Sequence, residues 1–295
     1  GFYDLRLTEP REAQAALARA HGIHGFCYYH YWFNGKLLLE RPVEGMLRDR
    51  KPEMPFMLCW ANENWTRNWD GQFKDMLMEQ HYGAEDDKVH IRYLFRFFED
   101  ERYIRVQGKP VFAVYRSRLL PDALVTTELW REEARAAGIG ELYLLNVESF
   151  GDGQDPVKLG FDASFEFQPN FRLLGQPRRP GPLSTLLHRS GLRRSPYAED
   201  RVYDYGRFME AAMQLEAPAY KRFPGLTPMW DNSARRKKDA VILHGSTPEL
   251  YGKWLDHVVR TFVPYSPDEN FIFINAWNEW AEGNHLEPCQ RWGRK

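Results

Sequence analysis

A chain of 295 residues with 43% hydrophobic and 27% charged side chains has the material for one large globular core and excludes a disordered or fibrous class. A formal net charge of −1 excludes chain-wide attraction to nucleic acid or an anionic membrane, leaving only local charge to act. No apolar run approaches the ~20 residues a bilayer-crossing helix needs, so no transmembrane segment is expected. Cys27, Cys59 and Cys289 lie far apart without ligand spacing. They predict neither a disulfide framework nor a zinc site, and are read as small buried hydrophobes.

Along the chain, an Ala- and Leu-rich pattern from Pro10 to His21 predicts a helix, followed by strand-like runs at His24 to Tyr31, Pro55 to Trp60 and Pro110 to Tyr115. Thr126 to Ala137 reads as a second helix, with strands at Leu142 to Val147 and Asp162 to Phe167. Asn170 to Arg201 shows no clear periodicity and carries Arg172, Arg178, Arg179, Arg189, Arg193, Arg194 and Arg201 with Pro177, Pro180, Pro182 and Pro196. It is either a basic lid for an anionic substrate or a solvated loop. A helix over Tyr203 to Leu215, a strand over Leu226 to Trp230, a helix over Pro248 to Phe262 and a strand over Phe271 to Ala276 complete the series. Ser246-Thr247-Pro248-Glu249 supplies that last helix with a capping hydroxyl, a first-turn Pro and an acid.

Strands alternating with helices imply parallel pairing through right-handed crossovers, in an open sheet or a closed barrel. No GxGxxG or GxxxxGK[ST] follows a strand, which removes the usual nucleotide-binding signatures. Seven strands in a chain opening on Gly1 favour a barrel whose eighth strand lies upstream, with residues 1–295 forming one domain.

In such a barrel the chemistry gathers past the C-terminal strand ends. Those positions hold Tyr29, His30 and Tyr31; Trp60, Asn62, Glu63, Asn64 and Trp65; Tyr115; Glu148; Glu166; Trp230; and Trp277, Asn278, Glu279 and Glu282. Carboxylates, amides and ring faces at one rim are what a sugar requires, and ten Trp, fifteen Tyr and nineteen Phe supply rings in plenty. His24 and His30 are not arranged as a metal pair, and neither metal nor cofactor is expected. Glu279 and Glu282, three apart, face one way if the chain turns helically, and two carboxylates in one pocket are driven to unequal acidity. Spacing alone does not separate this from two carboxylates at the start of a helix.

The segments HGFCYYHYWFNGKLLLERP from His24, PFMLCWANENWTRNWDG from Pro55 and FINAWNEWAEGNHLEP from Phe273 resemble the glycoside hydrolase family 99-like domain, also called the WbsX type, of bacterial polysaccharide biosynthesis proteins. The resemblance runs from GFYDLRL at Gly1 to the end of the chain. It implies a (β/α)₈ TIM barrel with one strand before Gly1, related to metal-independent retaining endo-α-mannosidases. The EWHE motif of those enzymes corresponds to Glu279-Trp280-Ala281-Glu282, with Ala281 in place of His. The resemblance makes Glu279 the base toward a substrate 2-hydroxyl and Glu282 the acid toward the leaving oxygen, and it matches Tyr115 to a rim tyrosine.

The leading expectation is an endo-acting hydrolase or transglycosylase on a bacterial, mannose-containing polysaccharide, bound as an oligosaccharide or polysaccharide, in the cytoplasm and alongside other domains of a larger biosynthetic protein. Two alternatives stand. One is a glycosyltransferase of O-antigen or lipopolysaccharide synthesis, against which no Asp-x-Asp triplet follows a strand end. The other is a non-catalytic glycan-binding module that keeps the aromatic platform.

Overall fold

The computed structural model describes residues 2–67, 72–149, 153–192, 195 and 199–295. Arg193, Arg194 and Pro196 of the basic segment lie outside the described residues. Helix α1 (Thr8–Ala20) leads into β1 (Phe26–Phe33), which turns back through Asn34 and Gly35 into β2 (Lys36–Leu38). Both turn residues have positive φ, the left-handed pair that a two-residue hairpin uses. Next come α2 (Arg41–Asp49), β3 (Phe56–Trp60), a hairpin of β4 (Trp65–Arg67) and β5 (Gln72–Met78), and α3 (Ala84–Phe98). The hairpin of β6 (Arg105–Val106) and β7 (Lys109–Val114) precedes α4 (Ala123–Ala136), β8 (Tyr143–Glu148) and β9 (Ala163–Glu166). The chain continues through α5 (Pro182–Arg189), β10 (Arg201–Asp204), α6 (Tyr205–Met213), β11 (Arg222–Phe223), β12 (Gly225–Leu226), β13 (Trp230–Asp231) and β14 (Val241–His244). It ends with α7 (Pro248–Thr261), β15 (Phe273–Ile274), β16 (Asn278–Glu279) and β17 (Asn284–His285).

The parallel sheet runs β1-β3-β7-β8-β9-β11, and β12 pairs in parallel with β15. Every residue of β3 and β8 is buried, as is β7 after its first residue. That is why they read as unbroken apolar runs rather than alternating strands. The sixth parallel position is split by Pro224, which has no N–H to donate: Arg222–Phe223 serve β9 and Gly225–Leu226 serve β15. This corrects the single strand expected at Leu226 to Trp230, whose second half is instead β13 of a side sheet, β10-β14-β13. A Cβ at Gly225 would sit 2.0 Å from the Glu166 carbonyl oxygen, so only glycine allows that approach.

The ladder does not close. Among the described residues β1 and β15 share no backbone pairing, so the shape is an arc of parallel strands rather than a hydrogen-bonded barrel. Side chains bridge the gap instead. The Trp277 ring lies 5.7 Å from Phe26, while Tyr3 Oη and Gln14 Nε2 donate to Glu287 at 2.7 and 2.6 Å. One core fills the sheet from Trp32 and Phe56 round to Phe165 and Phe223. A second, around Tyr205, Phe208, Trp230 and Trp254, is roofed by α6 and α7.

Three smaller expectations are revised. The α7 cap is Thr247, whose hydroxyl accepts from Leu250 N–H at 3.3 Å, so Ser246 has no part in it. The aperiodic basic segment contains α5. Cys27 is exposed rather than buried, and all three cysteines are free. No helix among the described residues is long and apolar enough to cross a membrane.

Candidate active site

The segment carrying Glu279 and Glu282 departs from β15 under firm backbone control. Asn275 N–H donates to Leu226 O at 2.9 Å, and Asn275 Nδ2 to Gln168 O at 2.6 Å. The chain then forms a tight hairpin in which β16 and β17 pair Asn278 with His285 and Glu279 with Asn284. Between them Trp280–Glu282 make one 3₁₀ turn. Glu279 precedes this turn with non-helical dihedrals, φ −80° and ψ 68°, and Glu282 ends it. Gly283 closes the turn with φ 54°, and a Cβ there would meet the Asp231 carbonyl oxygen at 2.9 Å. The hairpin is thereby seated against β13.

Glu279 and Glu282 both line a cavity of about 1860 Å³, well beyond the ~300–1,000 Å³ of a drug-sized site. It is a through-going groove. Its walls include His24, Pro55 and Arg102 near the strand starts as well as Tyr31, Trp65 and Glu282 at the strand ends, because the arc is open.

Arg235 Nη1 lies 2.8 Å from Glu282 Oε1 and belongs to the turn following β13. Burial raises Glu282 to about 7, with Glu279 adding to the rise and Arg235 and Arg236 opposing it. Burial also raises Glu279, but Arg235 and the backbone N–H groups of Ala281 and Glu282 favour its charged form. The two acids are therefore unequal for identifiable reasons: one is held by peptide donors, the other retains its proton near neutrality. Tyr31, which lines the same groove, is pushed up to about 12 by burial and then by Glu279. Tyr115 is driven upward by burial, then by Glu63, with Glu282 adding to the rise.

Of the rim residues read from sequence, Tyr29, Tyr31, Glu63, Asn64, Trp65, Tyr115, Glu166, Trp230, Trp277 and Asn278 line the same groove as the acids. Tyr31 meets Trp65 edge-on at 5.2 Å, and Tyr29 meets Tyr115 at 5.9 Å, forming a continuous aromatic wall. Glu63 is ion-paired with Arg116. Glu166 accepts from Gly225 N–H at 3.3 Å and is raised by burial. The indole N–H groups of Trp230 and Trp277 have no acceptor among the described residues.

Four expected site residues are corrected. His30 is one step out of phase with Tyr29 and Tyr31, so alternation along β1 turns it to the other face. There its Nε2 lies 2.9 Å from His90 Nε2 on α3, and burial lowers it to about 3, leaving a neutral core imidazole. Trp60 faces the same way, fully buried against His90 and Trp130, with its indole donating to Trp32 O at 3.2 Å. Asn62 accepts from Arg116 N–H and donates to Arg116 O, joining the loops after β3 and β7. Glu148 accepts from Ser164 Oγ at 2.6 Å and faces Arg222, between β8 and β9.

Arg235 and Arg236 were not among the expected site residues. A signal that could have found them is the run Arg235-Arg236-Lys237-Lys238 shortly after Trp230-Asp231.

An arc of parallel strands thus brings two acids and a set of aromatic rings to one groove of an α/β protein. The chain belongs to the family described as Glycosyltransferase WbsX, whose match extends over residues 1–295. It is 40% identical over 295 residues to the uncharacterized protein WxcX of Xanthomonas campestris pv. campestris strain B100, and to the same degree to that of strain ATCC 33913. Each match covers 99% of this chain and 41% of the relative, so the chain spans about two-fifths of their length. Its fold is shared with a glycoside hydrolase-like protein at TM-score 0.60 and 12% identity, covering 98% of this chain and 81% of that one. It is also shared with the GH99 endo-α-mannosidase from Bacteroides thetaiotaomicron, at TM-score 0.57 and 14% identity over 100% of this chain and 76% of the other.

Proposed function

We propose that the chain cleaves or transfers glycosidic bonds within a polysaccharide, as an endo-acting retaining hydrolase or transglycosylase, with Glu279 as base and Glu282 as acid. The observation that carries this reading is the pair itself: one carboxylate at the end of β16 and one on the 3₁₀ turn that follows, lining one groove, of which Glu282 is raised to about 7. Glu279 takes the proton of the sugar 2-hydroxyl as that oxygen bonds to the anomeric carbon. The bond to the departing sugar breaks, and its oxygen takes the proton of Glu282. In the second half Glu282 deprotonates water, or an acceptor hydroxyl in transfer. The new oxygen bonds to the anomeric carbon, the strained C–O bond opens, and Glu279 returns the proton.

The wall of Tyr31, Trp65, Tyr29 and Tyr115 suits stacking against pyranose faces. The same reading takes residues 1–295 as one barrel domain, its ladder completed between β1 and β15 by a strand from the longer polypeptide. The absence of pairing between β1 and β15 among the described residues supports it.

The test is product analysis on mannose-containing and O-antigen oligosaccharides with Glu279→Gln and Glu282→Gln. Each should fold and bind while losing about 10²–10⁴-fold in turnover, since an amide cannot carry the proton. Full activity in both would end the proposal.

A transferase reading is favoured by Arg235 and Arg236 lining the groove beside the acids, where a nucleotide diphosphate would find cations. Calorimetric binding of nucleotide sugars that is lost in Arg236→Gln would support it. Glycan binding without turnover on long incubation would instead indicate a binding module.

A further inference from the structure

Helix α5 is amphipathic in the reverse of the usual sense. Its polar positions face the protein: Ser184 Oγ donates to Ser195 Oγ at 3.0 Å, and one turn on His188 Nδ1 accepts from Ser195 N–H at 3.3 Å. Its apolar positions face away, with Leu183 70% exposed, Leu186 65% and, just beyond the helix, Leu192 78%. A surface helix ordinarily turns its apolar stripe to the core. Leaving two leucines of one short helix and a third just beyond it in water marks a surface that something else covers.

Charge identifies the cover. From Phe167 to Ala198 there is no Asp or Glu, while the same stretch carries Arg172, Arg178, Arg179, Arg189, Arg193 and Arg194. Arg179 and Arg189 flank the leucines, are exposed, and form no ion pair among the described residues. Arg178 is ion-paired with Asp204, but leucines flanked by the Arg179 and Arg189 guanidinium groups match the boundary between acyl chains and anionic headgroups, where a short helix lies flat with its apolar side inserted. We propose that α5 and its flanks are a docking surface for an anionic lipid bilayer.

The segment follows the C-terminal end of β9, and Phe171 at its start lines the catalytic groove. Docking would therefore hold the groove's mouth near the bilayer, suiting a glycan still attached to a lipid. The docking itself does not depend on the catalytic reading.

The test is co-sedimentation of the chain with vesicles of phosphatidylglycerol and phosphatidylcholine in equal parts, and with vesicles of phosphatidylcholine alone. Binding is expected only to the anionic vesicles, weakening as salt rises. It should fall at least about tenfold in Leu183→Gln/Leu186→Gln, since two inserted leucines are worth more than one decade of partitioning. Circular dichroism and thermal unfolding should be unchanged, because both side chains are exposed. Should that variant not fold, Arg179→Gln/Arg189→Gln must show the same loss. No binding to anionic vesicles, or equal binding by the variants, overturns the proposal. So does a dimer in light scattering that dissociates in the leucine variant, since a second copy would then be the cover.

Discussion

Replacing Arg235 by Gln should raise the acidity constant of Glu282 further, by about one unit. Arg235 Nη1 and Glu282 Oε1 are 2.8 Å apart, but the guanidinium side chain is 54% exposed. A water-like dielectric is therefore appropriate, and Coulomb's law gives about 1.5 kcal/mol. At 1.36 kcal/mol per unit this is about one pKa unit, upward because a cation that favoured the carboxylate is gone. Glu282 then titrates at roughly one unit above its value of about 7. The direct assay is carbon-13 NMR titration of the glutamate carboxyl carbons in the wild type and Arg235→Gln, with Glu282→Gln assigning the resonance. On a verified substrate, the alkaline limb of kcat/KM should move with it. An unchanged or lowered pKa in Arg235→Gln would refute the electrostatic account of the pair.

Other outcomes follow from the same geometry. Glu282 has a folded pKa of about 7 against an ordinary 4.5, so the protein holds this proton more tightly folded than unfolded. Its contribution is fully present below pH 4.5 and fades as pH rises to about 7, amounting to roughly 3 kcal/mol. Urea unfolding across that range should show this slope in the wild type and a shallower one in Glu282→Gln. Gly283→Ala should lower stability by at least about 1–2 kcal/mol, because φ is 54° and the new methyl meets Asp231. Turnover should fall with it, since the turn carries Glu282. Glu287→Gln puts an amide where Tyr3, Gln14 and Trp280 all donate, and should cost about 1.5–3 kcal/mol in chemical denaturation.

What could be read beforehand, and what could not, divides along physical lines. β3, β7 and β8 were legible because burial on both faces leaves a continuous apolar run, and α7 because Thr247 and Pro248 mark its start. That Glu279 and Glu282 belong together was suggested by their separation of three residues and by the motif that carries the family resemblance. Helix α3 was hidden by Tyr93, Phe95, Phe97 and Phe98, residues that favour strands in isolation and are made helical here by packing against β3 and β7. Helix α5 was hidden because its leucines do not point at a core. Arg235 was out of reach for another reason: it meets Glu282 across 47 positions, and no local pattern reports such a contact. His30 and Trp60 were misassigned by grouping whole strand ends together, although counting residues alternately from Tyr31 or Cys59 puts both on the far face.

That alternation makes the length of β1 a stricter requirement than the identity of its aromatic side chains. Tyr29 and Tyr31 meet the groove while His30 and Trp32 rest against α3. Adding one residue after Gly25 would exchange the two sets wholesale, sending phenols into a dry interior and the imidazole toward sugar. Point changes to either tyrosine would trim a wall, whereas a frame slip would dismantle wall and interior together.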